Sequence, residues 1–518
     1  MSFLRSLLFF LIAGSQSFCS AATIHPKEGD FLVVIYNRND PAAKSLADFY
    51  CTQRGIDPAC QIPVETPRKE EISRTEYDTL IAEPVRKEFL RRGLWSITRD
   101  MMNRPILFAS SVHYAVLIKG VPLKICQTEF YPGDAKNQPD PYGGVNAASV
   151  DSELSVLGLF TPQISGTLKN PLYSPELAIP SDSSCIPVPM ILVSRLDGPN
   201  DACVRMMISD SLKAEKEGLW GWGYIDLQSS TNEAYMRGDR WIREAGEAQR
   251  KHGIPVIVDD LPETFQPGFP VTDAAAYYGW HDESVDGPFA DSTFRFISGA
   301  IAVHLHSFSA MTLHDSTKGW TGPLIQHGAA VSLGNVFEPY LPFTTDLGVF
   351  TRALLEGRNL VQSYYAAQPV LSWMSVCIGD PLYRPYAFFD KQTGQPENIW
   401  SDYRRIILSH NGNVLDAALV LRKRSKERGE SLYLEALGAA QLSAGEPKAA
   451  EESFHEERTY AQSQYASFRL FLEEVRSLEK SGNKTKALQL LRIEVLTCIE
   501  KDRKNLLQSW IQRLESRN

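Results

Sequence analysis

Short apolar runs rich in β-branched residues recur between residues 30 and 385, separated by amphipathic stretches. The runs at 31–36 (FLVVIY), 114–119 (YAVLIK), 190–194 (MILVS), 255–258 (PVIV), 274–278 (AAAYY), 299–305 (GAIAVHL) and 329–333 (AAVSL) predict buried strands. They are continuously apolar rather than alternating, which predicts strands covered on both faces, as in a parallel sheet. Helical periodicity fills 42–53, 77–92, 201–216 and 232–250, and Pro41 sits where a helix start favours proline. This alternation predicts an α/β fold, an open and mostly parallel sheet flanked by helices, over residues 23–390.

Two stretches depart from the pattern. Residues 126–187 are rich in Pro, Gly and Asn and predict an irregular insertion that covers the sheet. From 391 to 518 strand-like runs vanish, and Leu, Ala, Glu, Lys and Arg predict an all-helical module. Within it, Gly445, Ala450 and Phe454 align with Gly482, Ala487 and Leu491 at a shift of 37 residues. The pattern resembles a tetratricopeptide helix–turn–helix, whose period is about 34 residues. Such a module implies a docking surface for a protein partner; a plain helical bundle fits the same residues.

The amino end adds a compartment. Arg5 precedes an apolar stretch at 7–13, and Ser20-Ala21-Ala22 supplies small residues for cleavage, so residues 1–22 read as a signal peptide. An exported protein, periplasmic or extracellular, follows. The bulk of Phe18 speaks against lipidation of Cys19. No later run has the roughly 20 apolar residues of a membrane span. The 518 residues carry a net charge of −9, which argues against a broad nucleic-acid-binding face. Beyond Cys19 the seven cysteines are too sparse for a disulfide scaffold, although Cys51 and Cys60 flank a single turn.

Phosphate loops, G-x-S-x-G elbows, H-E-x-x-H and paired C-x-x-C motifs are missing from the sequence. The chemistry-bearing residues gather at two predicted strand ends. One strand leads into His281, Asp282 and Glu283; the next leads into His304, His306, Ser307 and Ser309. Functional groups of an open α/β sheet collect at such carboxyl ends. Three readings share these residues. His281 can activate Ser307 or Ser309 for acyl transfer. His304 and His306, on one strand face, can hold a divalent metal, the only cofactor the sequence suggests. Or the polar groups satisfy one another and hold loops in place. Asp197, Asp226 and Glu338 are further candidate binding carboxylates near strand ends or loops.

Several segments carry a family resemblance: YNRNDPAAKSLADFY (36–50), VDSELSVLG (150–158), YYGWHDESVDGPF (277–289), GAIAVHLHSFSA (299–310), GAAVSLGNVFEPYLP (328–342) and IGDPLYRPY (378–386). Together they resemble an uncharacterised bacterial envelope family associated with exosortase, the proposed sorting enzyme of PEP-CTERM proteins. The resemblance implies a role in protein sorting or surface assembly. More distantly, AYYGWH and AVHLHSFSA resemble the histidine and nucleophile elements of gingipain-type cysteine peptidases, which have a caspase-like fold. That resemblance sets His281 at the histidine element. It also exposes a departure, because no cysteine lies between Cys203 and Cys377. The leading expectation is therefore a non-classical or inactive peptidase relative. The alternative is a hydrolase using His281 and Ser307, or a metal site around His304 and His306.

Overall fold

The computed structural model describes residues 27–128, 145–160, 166–179, 186–280, 282–390, 397–458, 461 and 463–516. The proposed signal peptide, His281 and much of the predicted insertion lie outside them. Ten strands form the main sheet: β1 (Leu32–Asn37), β2 (Gln61–Val64), β3 (Tyr114–Ile118), β4 (Leu192–Leu196), β5 (Trp222–Asp226), β6 (Val256–Asp259), β7 (Ala274–Trp280), β8 (Ile301–Leu305), β9 (Ser332–Asn335) and β10 (Ser375–Ile378). Six pair in the order β9-β10-β4-β3-β1-β2, and four in the order β6-β5-β7-β8. A parallel bridge between Ile301 and Val331 joins the two sets into one surface. The β9/β10 pair is antiparallel, and the other pairs are parallel.

The strands are buried along their length because each face has a cover. On β7, Tyr278 and Trp280 join one apolar cluster, whereas Ala274 and Tyr277 join another. Two layers of cover explain why the strand sequences show no polar alternation. Helices α1 (Ala43–Arg54), α2 (Glu83–Arg91), α3 (Val150–Ser155), α4 (Asp201–Glu217), α5 (Glu233–Lys251), α6 (Thr321–Gln326), α7 (Leu347–Leu355) and α8 (Leu360–Ala367) occupy the connections. In the described part of the predicted insertion, every residue of α3 is buried. Outside the main sheet, Trp95–Arg99 and Pro105–Ser110 form an antiparallel hairpin.

The carboxyl-terminal region is all helical: α9 (Ile399–Ser409), α10 (Ala418–Arg428), α11 (Leu432–Ser443), α12 (Pro447–Arg458), α13 (Gln464–Lys480), α14 (Lys484–Thr497) and α15 (Lys501–Ser516). The 37-residue shift has a geometric basis. Gly445 and Gly482, at φ 79° and 82°, turn α11 into α12 and α13 into α14 in the left-handed region that favours glycine. Ala450, Phe454, Ala487 and Leu491 are all buried.

These helices do not hang free. Leu437, Phe471 and Leu472 share one apolar cluster with Trp222, Tyr224 and Tyr277 of the sheet. Two buried arginines of α13 complete the joint. Arg469 pairs with Glu435 (2.5 Å) and donates to Thr272 Oγ1 (2.8 Å) and Pro270 O (3.1 Å). Arg476 donates to Val258 O on the edge strand β6 (2.7 Å) and pairs with Asp259 (3.2 Å) and Asp260.

Candidate functional site

Strands β7 and β8 are hydrogen-bonded neighbours in parallel register, with Gly279 opposite His304 and Trp280 opposite Leu305. Their carboxyl ends open into a cleft of about 820 Å³. Leu305, His306, Ser307 and Phe308 line it from the end of β8, Trp280 and Glu283 from the end of β7, and Glu338 from beyond β9. Tyr235, Met311 and Leu341 make much of the remaining wall apolar, and Lys318 adds a cation. The size and lining fit a site for a largely apolar ligand held by a few polar groups.

His304 is beside this cleft but not in it. It is buried and stacks on Trp320, with ring centroids 3.5 Å apart and planes 6° from parallel. Its Nε2 accepts the Asp282 N–H at 3.0 Å, so the ring proton sits on Nδ1. Nδ1 then donates to Tyr277 Oη (2.9 Å), whose hydroxyl donates to Asp226 Oδ2 (3.1 Å). The result is an interior ladder running from Asp226 to the backbone beside His281. Burial, and after it the neighbouring Asp259 carboxylate, hold Asp226 well above the usual carboxylate range. Burial likewise keeps Tyr277 protonated by pushing its phenol upward. Trp320 completes the clamp by donating Nε1–H to Asp282 O at 2.9 Å. The ring of His304 thus has no lone pair left for a cation.

The expected H-x-H strand face stops short. Strand β8 ends at Leu305, and the chain turns through Phe308, which has φ 59°. Strand alternation fails past this point, so Leu305, His306, Ser307 and Phe308 all reach the cleft together. His306 Nδ1 lies 2.5 Å from the Ser307 carbonyl oxygen. Among the described residues, no group of three His, Cys, Asp or Glu side chains is placed to hold a metal ion. Ser309 is buried beneath the turn, and its Oγ accepts the Asn335 N–H at 3.1 Å.

The four amides that follow the serine are already committed. Phe308 N–H donates to Phe337 O (3.0 Å), Ser309 N–H to His306 O (3.4 Å), Ala310 N–H to Asn335 O (3.0 Å) and Met311 N–H to Phe308 O (2.9 Å). An oxyanion site needs backbone donors aimed at open space. The turn after Ser307 offers none from these four positions.

Asp197 belongs elsewhere. It is buried at the end of β4, bonded to Arg195 (3.0 Å) and to His314 Nε2 (3.0 Å). Burial alone would raise its carboxyl, but His314, Arg195 and Lys119 outweigh burial and bring it to about 2. Arg195 also holds the buried Asp151 at 2.6 Å. This network anchors the loop that follows β8. Glu70 accepts the Leu313 N–H at 2.7 Å and the Thr312 hydroxyl at 2.5 Å, fixing the loop that carries Met311 and Lys318 to the cleft.

Of the candidates read from the sequence, the structure brings Glu283, His306, Ser307 and Glu338 to one cleft and connects Asp226 to it only indirectly, through the ladder. Sequence reasoning missed Trp320, whose place beside His304 depends on a loop closing from 16 residues downstream. It also missed Trp280 as a wall of the cleft. Trp280 Nε1 donates to Asp239 of α5 at 2.8 Å, and its ring lies against Gly238, where a Cβ would approach within 2.6 Å. The glycine in an otherwise strongly amphipathic helix was the available signal.

No family model, curated protein or solved structure matches the chain.

Proposed function

We propose that the protein is a non-catalytic relative of caspase-like peptidases that binds an extended peptide in the β7/β8 cleft and serves protein sorting or assembly in the envelope. The observation that carries the reading is the combination of an apolar cleft at two adjacent strand ends with backbone amides already bonded at the four positions after its serine. The histidine and nucleophile elements of the resemblance fall on β7 and β8, and those strands are direct neighbours. Where such peptidases place a thiol, this chain presents Ser307 with no adjacent cysteine. The cleft walls favour an apolar side chain, and Glu283, Lys318 and Glu338 give polar contacts at its edge. The tetratricopeptide-like character of the tail fits a scaffold, although part of its surface is consumed by docking on the sheet.

The hydrolase reading keeps one specific support. Ser307 lines the cleft beside the segment that contains His281. A serine-directed phosphonate probe tests both readings on the purified protein. Peptide binding from a random extended library, weakened by Met311→Lys and unaccompanied by probe labelling, is the expected result. Stoichiometric labelling at Ser307, abolished by His281→Ala, would overturn the non-catalytic reading.

A further inference from the structure

The Trp95–Arg99/Pro105–Ser110 hairpin projects from the N-terminal half of the molecule. Its base is fixed: Trp95 is buried, packs edge-on against Phe89 and donates Nε1–H to Ser110 Oγ at 3.0 Å. Its outer half is exposed on both faces. Met101 is fully exposed, Met102 is 75% exposed and Phe108 70%, with Ile97 and Ile106 also open to solvent. A soluble surface rarely displays so many large apolar groups side by side. The tip is nevertheless ordered by its own bonds. Asp100 accepts the Met102 and Arg104 N–H groups at 2.9 Å each, and Arg99 donates to Asn103 O at 2.7 Å. The methionines are therefore held outward by a defined turn.

Charge identifies what covers them. Residues 88–111 contain Arg91, Arg92, Arg99 and Arg104 against Glu88, which Arg91 and Arg92 both bridge, and Asp100, which Arg104 bridges at 2.7 Å, leaving a local excess of two positive charges in a chain whose net charge is −9. Arg99 and Arg104 stand directly behind the apolar tip in the hairpin. A second copy docking hairpin to hairpin about a two-fold axis would bring these arginines face to face, which like charges oppose. An anionic bilayer surface satisfies both features: its acyl boundary takes the methionines and its headgroups take the arginines.

We infer that this hairpin is a peripheral docking arm for an anionic lipid surface, inserting Met101 and Met102 with Arg99 and Arg104 at the headgroups. The inference does not depend on what the β7/β8 cleft binds. It is tested by co-sedimentation of the purified full chain with vesicles of phosphatidylethanolamine and phosphatidylglycerol, and with phosphatidylcholine vesicles as the neutral arm. Binding is expected on the anionic vesicles and weakens at high salt. Met101→Asp with Met102→Asp should lower it by at least about tenfold, from the lost burial of two apolar side chains. Arg99→Gln with Arg104→Gln should lower it roughly tenfold on anionic vesicles only. All four positions are exposed, so unchanged thermal unfolding verifies the variants' fold. Absence of vesicle binding would overturn the inference, as would equal binding by the variants. Self-association or capture of a protein that depends on Met101 and Met102, without vesicle binding, would also overturn it.

Discussion

Replacing His304 by alanine should destabilise the protein by about 3 kcal/mol without any cofactor being involved. The ring supplies two bonds and one stack: it accepts the Asp282 N–H, donates to Tyr277 Oη and lies on Trp320. The Asp282 N–H left without a partner costs about 2 kcal/mol, the middle of a range of roughly 1–3, and the bond lost at Tyr277 Oη, which keeps its bond to Asp226, costs about 1 kcal/mol. The aromatic stack adds about 1 kcal/mol. Asp282 is only half-buried, so water recovers part of its amide and brings the sum of about 4 down to roughly 3 kcal/mol. Urea unfolding followed by tryptophan fluorescence reads the change as a lower midpoint at an unchanged slope. His304→Asn, which retains a donor and an acceptor, should recover part of the loss. A cost below about 1 kcal/mol would refute the ladder. So would a wild-type midpoint that falls on adding a chelator, because His304 would then be acting through a bound cation.

Three other outcomes follow from buried or titrating groups. Arg469→Met leaves Glu435 buried without its partner and should cost about 3–5 kcal/mol in urea unfolding, much of it restored by adding Glu435→Gln; a near-neutral single variant would contradict the joint between helices and sheet. Burial lowers the His314 pKa, but the Asp197 bond and the Asp197 and Glu70 charges outweigh burial and the repulsion of Lys119, so the net shift is upward. A histidine raised in the folded state stabilises fully below its unfolded value and loses that contribution as pH rises through the folded value, whereas Asp197, held at about 2, loses its share only as pH falls toward that value. The stability gap between wild type and His314→Gln should therefore be widest near pH 5, on the order of the window between the ordinary Asp and His values, and should close in alkaline buffer; a gap that widens on the alkaline side would contradict this. Finally, Cys51 and Cys60 have their Sγ atoms 3.9 Å apart. Mild oxidation should join them, read as loss of two titratable thiols, and raise stability by about 2.7 kcal/mol through closure of a loop of about ten residues; two thiols persisting at these positions would contradict it.

Much of the sheet was legible because its strands are covered on both faces. FLVVIY and YAVLIK became β1 and β3 nearly residue for residue, and the 201–216 and 232–250 periodicities became α4 and α5. Three strands escaped notice because their signals were weaker: β2 carries Pro63 in its middle, β5 (WGYID) is broken by Gly223 and ends on a carboxylate, and β10 (SVCI) is only four residues long and opens on serine. Helices α7 and α8 escaped for a different reason. They are buried nearly all round, which erases the polar stripe that betrays an amphipathic helix. At the site, strand ends pointed to Ser307 and His306, but alternation misplaced them because β8 stops at Leu305. The role of His304 was not readable at all, since it depends on Trp320 and Tyr277 arriving from other elements.

The central claim is that the β7/β8 cleft binds an extended peptide and leaves it intact. The direct measurement is to incubate the purified protein with its tightest library-selected peptide and follow the peptide's mass over time. The account predicts saturable binding, weakened by Met311→Lys, with the peptide recovered at its original mass. Time-dependent cleavage that disappears in Ser307→Ala would contradict it and make the protein a hydrolase.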